Sequence, residues 1–427
     1  MVRRIARLVT LRKNLGESYT PVYFLSALGN GGMAVAFFIY LNFMVPHPET
    51  PIITFDGLTQ VMAGASLSVR ALILTAMAGI AFFGIRHLWL LVWNLREYAR
   101  YRNTAAFTRL RQSNSESKLI GLPLTLAMTV NMSFAAGATF TPGIWNIIEY
   151  LFPAAMLAFL TIGILALRIF INFFSRILAN PEFDCSHNNS LGQLKAILTF
   201  GLVGVGFSAP AAMSVNPTTV TFSIIGGLFF ATVAVVMGLI WMILGFRSML
   251  AHGISKESAV SLWIPLPILT VLGVTGIRVM RGMGFLFHVP ADAANPVALR
   301  VQFFNEGILI WTTLILSVMI LFAVLGYAVM KRVNYFETFV SGPERSADSY
   351  ALICPGTAIF VFGMFFVHMG LVRNDLLDKF SPAYFIILVP FIIAQLFAIH
   401  TMLRLDEKLL RPGLEETAVV DEGIATA

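Results

Sequence analysis

The chain carries two cysteines in 427 residues, and each has neighbours that bear on its chemistry. Cys354 stands directly before Pro355 in the apolar run SYALICPGTAIFVFG, residues 349–363. A thiol becomes a nucleophile or a redox group when positive charge or a helix N-terminus stabilises its thiolate. Pro355 is suited to open a helical segment, which would supply such an end. Two plainer readings stand beside this one. Cys is a small apolar residue that packs well beside a kink, and a small side chain at a break can narrow a pore by shape alone. Cys185 lies in NPEFDCSHNNS, residues 180–190, among Glu182, Asp184 and His187. These are metal-ligand types, but their spacing matches no zinc pattern, and no metal is expected. The segment reads as a solvated loop whose Asn188, Asn189 and Ser190 lead into a helix, or as a thiol open to soluble reductants.

Other ionisable residues fall within long apolar runs: Arg86, His87, Arg168 and His368. Charge at membrane depth is costly and marks functional candidates, although Arg168 stands close enough to the end of its run to snorkel. Arg278, Arg281 and His288 cluster near the end of another run. They suit an electropositive vestibule for anions, or they are exceptions to the charge rule used below. One pair, His368 and His400, is too little to imply haem, and no cofactor is expected. No P-loop, dinucleotide loop or Ser-His-Asp set is legible, and no soluble segment is long enough for a nucleotide-driven pump.

The elements that must hold these residues are set by composition. Hydrophobic residues make up 57% of the chain and charged residues only 12%, about half the charged fraction of a soluble domain. A helix needs about 20 apolar residues to cross the hydrocarbon. Ten runs qualify, near 20–45, 71–95, 118–141, 147–172, 192–214, 219–246, 258–280, 304–330, 350–371 and 383–404. Within lipid such runs must be helices, because backbone groups find no other partners there. The predicted fold is therefore an all-α polytopic membrane protein. It comprises a basic interfacial segment (1–19), a ten-helix membrane domain (20–404) and a C-terminal tail (405–427). The net charge of +7 is spread over short loops, which argues against nucleic acid. Of the 29 Lys and Arg residues, 21 fall on the side of the N-terminus and six on the other. That asymmetry predicts both termini in the cytoplasm, and the membrane expected is a bacterial inner membrane.

Short turns such as TFTPG (139–143) and SVNPTT (214–219) parse the chain into five helical hairpins. The first member of each hairpin holds most of the breakers: Gly29, Gly31 and Gly32; Pro123; Gly204, Gly206 and Pro210; Pro265 and Pro267; Pro355 and Gly356. Pro153 and Pro390, in second members, depart from the pattern. A proline frees a carbonyl one turn earlier, and in lipid that carbonyl must be buried in protein or face a wet cavity. Odd helices inside and even helices outside follow as the expectation. Thr125, Thr129 and Ser133 form a stripe on one face of the third span, and Ser26 and Asn30 another in the first. Such stripes line pores, or they hold helices together.

Five hairpins with broken odd helices resemble the TehA family and the slow anion channels of plant guard cells, whose superfamily includes dicarboxylate and sulfite transporters. More narrowly, DCSHNNSLGQ (184–193), GFSAPAAMS (206–214) and LICPGTA (352–358) resemble the TsoY family of membrane (seleno)proteins. The resemblance implies a central pore lined by the odd helices, a small anionic substrate such as a sulfur oxyanion or carboxylate, and a trimer in the bilayer. In the channels a Phe on the ninth helix blocks the pore. Here that helix carries Cys354 beside its Pro, with Phe360, Phe362 and Phe207 as substitute gates. The residues expected to line the path are Asn30, Thr125, Thr129, Ser133, Phe207, Pro210, Cys354 and Phe360. The alternatives are a thiol or selenol redox protein using Cys354 or Cys185, or a non-catalytic membrane subunit.

Overall fold

The computed structural model describes residues 11–179, 189–290, 293, 299 and 304–412. Every regular segment among them is helical. Ten helices are long and apolar enough to cross a membrane. They are α1 (Pro21–Met44), α2 (Leu67–Tyr101), α3 (Asn114–Phe140), α4 (Ile144–Ala179), α5 (Leu194–Met213), α6 (Pro217–His252), α7 (Glu257–His288), α8 (Asn305–Arg332), α9 (Ala347–Asn374) and α10 (Pro382–Leu410). Each of the ten expected spans overlaps one of these helices. Cys185, with Glu182, Asp184 and His187, lies outside the described residues.

In each consecutive pair the second helix is both the more hydropathic and the less buried. In the most apolar stretches of α1, α3, α5, α7 and α9, 50–89% of residues are buried, against 22–33% in the even-numbered helices. A water-soluble bundle would expose its polar helices, so exposure of the most apolar ones identifies a multi-pass membrane protein. The exposed side chains are large: Phe82, Ile164, Phe222, Ile243, Leu321 and Ile386 stand on the even helices.

Close helix packing uses rings set over glycines. A Cβ on Gly276 of α7 would come within 2.8 Å of the Trp311 ring of α8, and one on Gly326 of α8 within 2.3 Å of Trp263 of α7. The two indoles also donate reciprocally, Trp263 Nε1 to the Ala323 carbonyl at 3.0 Å and Trp311 Nε1 to the Gly273 carbonyl at 2.9 Å. The absent side chain lets each ring approach the backbone and satisfy its polar edge, which lipid cannot do.

The prolines act differently from the expected mid-helix breaks. Pro123, Pro265, Pro267 and Pro355 are all buried, but each lies in the first turn of an α-helical stretch that follows a 3-10 segment. In that position the missing N–H has no intrahelical acceptor to lose. In α5 the α-helical part of the span is itself interrupted. There the helix stops at Phe207 and restarts at Ala209, and Pro210 leaves the Gly206 carbonyl without its usual donor. Pro153 and Pro390 are exposed on α4 and α10. Helix α9 widens into a π-helical turn over Phe366–Leu371.

Residues 1–10 and 413–427 of the expected terminal segments lie outside the described residues. Arg12 N donates to the Leu410 carbonyl at 2.8 Å, and Trp93 Nε1 to the Arg12 carbonyl at 2.7 Å, tying the described part of the N-terminal segment to α2 and α10. Helix α10 continues to Leu410, into the stretch expected to begin the tail.

Candidate functional site

A cavity of about 150 Å³ takes its wall from all five odd-numbered helices. Leu28, Gly32 and Val35 come from α1, Met128 and Asn131 from α3, Leu202 and Val205 from α5, Val274 and Arg278 from α7, and Cys354, Thr357 and Val361 from α9. From Cys354 to Phe365 the α9 wall spans twelve residues, roughly 16 Å of helix from end to end. The wall is mostly apolar, and Arg278 is its one charged residue. Gly32 also lines the cavity, where a Cβ would stand 3.7 Å from Met128 and Thr357, in ordinary contact.

Arg278 also lines a second cavity of about 110 Å³, together with Pro210, Phe134, Phe152 and Phe159. Val35, Ile39 and Asn131 are shared by the two cavities as well. The guanidinium therefore stands where they meet. One of its nitrogens donates to the Val205 carbonyl, just before the break in α5, and Ser208 Oγ donates to the same carbonyl at 3.0 Å. Arg278 has no carboxylate partner within salt-bridge distance among the described residues. A guanidinium has five donor hydrogens, so it retains capacity for an anion. It lies well inside α7, which removes it, with Arg281, from the loop charges counted for orientation.

The structure brings two of the expected path residues to these cavities, Cys354 to the first and Pro210 to the second. The others lie elsewhere. Asn30 is buried and bonds the Ser26 carbonyl at 2.9 Å and Arg86 Nε at 3.2 Å. Thr125 donates to the Phe24 carbonyl at 3.1 Å, and Thr129 meets His87 Nε2 at 2.8 Å while His87 Nδ1 meets the Ala27 carbonyl. That stripe joins α1, α2 and α3, and Ser133 at its end is exposed. Phe207 sits over Gly226, and Phe360 packs against Tyr40 with ring centroids 4.7 Å apart. Phe362 is seated over Gly273 of α7. Phe365, which is not one of the expected gates, lines the cavity instead, edge-on to Phe43 at 5.0 Å.

Among the described residues, the other ionisable groups of the apolar runs stand away from the two cavities. Arg86 pairs with Asp406, which also accepts from Tyr350 Oη at 2.9 Å. His368 stacks on Phe43 and meets Tyr384 Oη at 3.1 Å. His400 and Arg168 are exposed. Arg281 Nη2 stands 3.4 Å from Met369 Sδ.

Fold and cavity together define the class: a multi-pass, all-helical membrane protein with a largely apolar cavity among its more buried helices. Comparison of the chain with family models, with curated proteins and with solved structures yields no match.

Proposed function

We propose that the chain is a membrane transport protein, of channel or secondary-transporter type, that moves small anions between the five odd-numbered helices. Those helices form an inner ring, the even-numbered ones shield it from lipid, and each odd–even pair is a hairpin. The N-terminus and C-terminus face the cytoplasm of a bacterial inner membrane. This is the organisation of the TehA and slow anion channel superfamily, with the TsoY family as the narrower resemblance and a trimer as the matching assembly.

One observation carries the reading: a single cavity draws its wall from every odd-numbered helix and holds one charge, a guanidinium with spare donors. A positive group in an otherwise apolar passage favours anions and opposes cations. Small oxyanions of sulfur and short carboxylates suit a guanidinium, which binds such oxygens in pairs. The thiol-redox reading gains less support. The charged residue of the wall lies at the end opposite Cys354, too far to stabilise a thiolate there.

The test exploits Cys354 after folding is complete. Purified protein in liposomes is assayed for chloride, sulfite and succinate flux before and after treatment with a small methanethiosulfonate. Flux is expected in the untreated protein and its loss on treatment, with Cys354→Ser protein conducting and resistant. Cys185 remains in that variant and serves as the internal control. Absence of flux for all three anions, or equal inhibition of the Cys354→Ser protein, overturns the proposal.

A further inference from the structure

A third chamber, of about 260 Å³, lies at the N-terminal ends of α3, α5, α7 and α9. Its wall is polar where the central cavity is apolar: Lys118, Lys195, Ser115, Ser117, Ser258 and Gln193 contribute. Two carboxylates also line it, one paired with a lysine and one hydrogen-bonded to a neutral hydroxyl. Asp348 accepts from Lys195 Nζ at 2.7 Å, and Glu257 accepts from Ser346 Oγ at 2.5 Å. Lys118 is half-buried and makes no side-chain hydrogen bond or ion pair among the described residues, although its charge acts on Asp348. Among the described residues the chamber sets two lysines against two carboxylates, and Lys118 is the one charged group of the four that makes no side-chain bond.

The chamber sits directly below the central cavity on the same helices. Lys195 lines the chamber and Leu198 the cavity; the same step separates Ile264 from Pro267 and Ala351 from Cys354. Three residues of helix rise roughly 5 Å. An ion resting in the chamber is therefore about one helical turn from the Cys354 end of the apolar passage.

We propose that this chamber is a capture site for a small oxyanion free in solution, bound by Lys118 and Lys195 with the serine hydroxyls as further donors. The ion competes with Asp348 for Lys195. Binding exchanges an internal carboxylate for an external anion, and Asp348 sets the affinity by holding Lys195 back. The inference deepens the transport reading by naming where the substrate is first held, and it rests on that reading only for its flux arm.

The experiment titrates sulfate at constant ionic strength, with chloride as the replaced anion, against full-length protein in vesicles made of phosphatidylcholine alone. Thermal stabilisation reports binding, and sulfite flux is measured on the same vesicles. Lys118→Gln should raise the half-saturating sulfate concentration by about tenfold, the value of one charge-assisted hydrogen bond. Asp348→Asn should lower it, because Lys195 is released. Equal titration of wild type and Lys118→Gln overturns the proposal, as does weaker binding by a folded Asp348→Asn protein. Lys118 has no side-chain bond to lose, so its variant stays interpretable if Asp348→Asn fails to fold. Sulfate stabilisation that appears only after anionic lipid is added assigns the chamber to lipid headgroups and also overturns it. Binding that depends on Lys118 without any flux would sink the transport reading and leave this one standing. Flux without such binding does the reverse.

Discussion

Replacing Arg278 by Gln tests the electrostatic core of the transport proposal. The guanidinium stands where the two cavities meet, bonded to the Val205 carbonyl and without a carboxylate partner among the described residues. An anion passing at 4 Å from it gains about 4 kcal/mol at an effective dielectric of about 20. At about 1.36 kcal/mol per factor of ten, loss of the charge should slow anion flux by two to three orders of magnitude, with about a thousandfold as the ceiling. The Val205 hydrogen bond is lost or weakened too, at about 1.5–3 kcal/mol for a bond from a charged donor. That cost appears in thermal stability, not in selectivity, so the two are separable. The assay is radiotracer or quench-based flux of sulfite and chloride in liposomes, beside a neutral solute of similar size and a melting curve for each variant. Arg278→Lys keeps the charge and should retain much more flux than Arg278→Gln. The reasoning fails if folded Arg278→Gln protein conducts anions within about threefold of wild type, a difference worth less than 1 kcal/mol. It fails equally if the neutral solute slows in step with the anions.

Two further predictions concern groups away from the cavity. Asp406→Ala leaves Arg86 without its partner in a site where their side chains are 8% and 20% exposed. Breaking a buried pair from one side costs about 3–5 kcal/mol, so the melting temperature should fall steeply, while the double replacement Arg86→Met with Asp406→Met should recover part of the loss. His47 lies in the segment between α1 and α2, and burial holds its pKa below the ordinary 6.5, with Arg373 and Lys379 acting in the same direction against its bond to the Val45 carbonyl. Its neutral form is favoured in the folded state, so its contribution is complete above about pH 6.5 and is lost as pH falls towards the lowered value. Melting curves between pH 7 and 5 should show a steeper acid loss for wild type than for His47→Gln, and parallel curves would contradict this.

The ten spans were legible because length and apolarity alone decide them. A run of about 20 oily residues has few alternatives once the chain is in lipid. The wall of the cavity was not legible, for a reason visible in Thr125, Thr129 and Asn30. Polar residues suggest a wet path, but in lipid a hydroxyl or amide is equally well satisfied by a neighbouring carbonyl, and these three are. The wall is built instead from residues such as Leu202, Val274 and Val361, whose types carry no signal. Arg278 did carry one, as a charge within an apolar run, and its neighbours Arg281 and His288 obscured which of the three faced inward. The seating of Trp311 on Gly276 and Trp263 on Gly326 pairs residues on different helices, which no reading along the chain can match.

Cys354 then takes its meaning from size. On the proposed reading, a ring at that position would plug the passage, whereas a thiol leaves about 150 Å³ open in a mostly apolar wall. On that reading, the apolar stretch of wall between Cys354 and Arg278 offers water few partners and would stay dry. A dry stretch stops an ion as effectively as a ring does, since the ion cannot carry its hydration shell through. The barrier here would be absence of water, bounded by the polar chamber on one side and by Arg278 on the other. Such a gate opens by wetting. Either a slight separation of the odd helices or a polar group introduced at the wall suffices, so Val361→Ser or Val274→Ser should raise basal anion flux. A ring-gated passage would be indifferent to both changes, because its obstruction is steric.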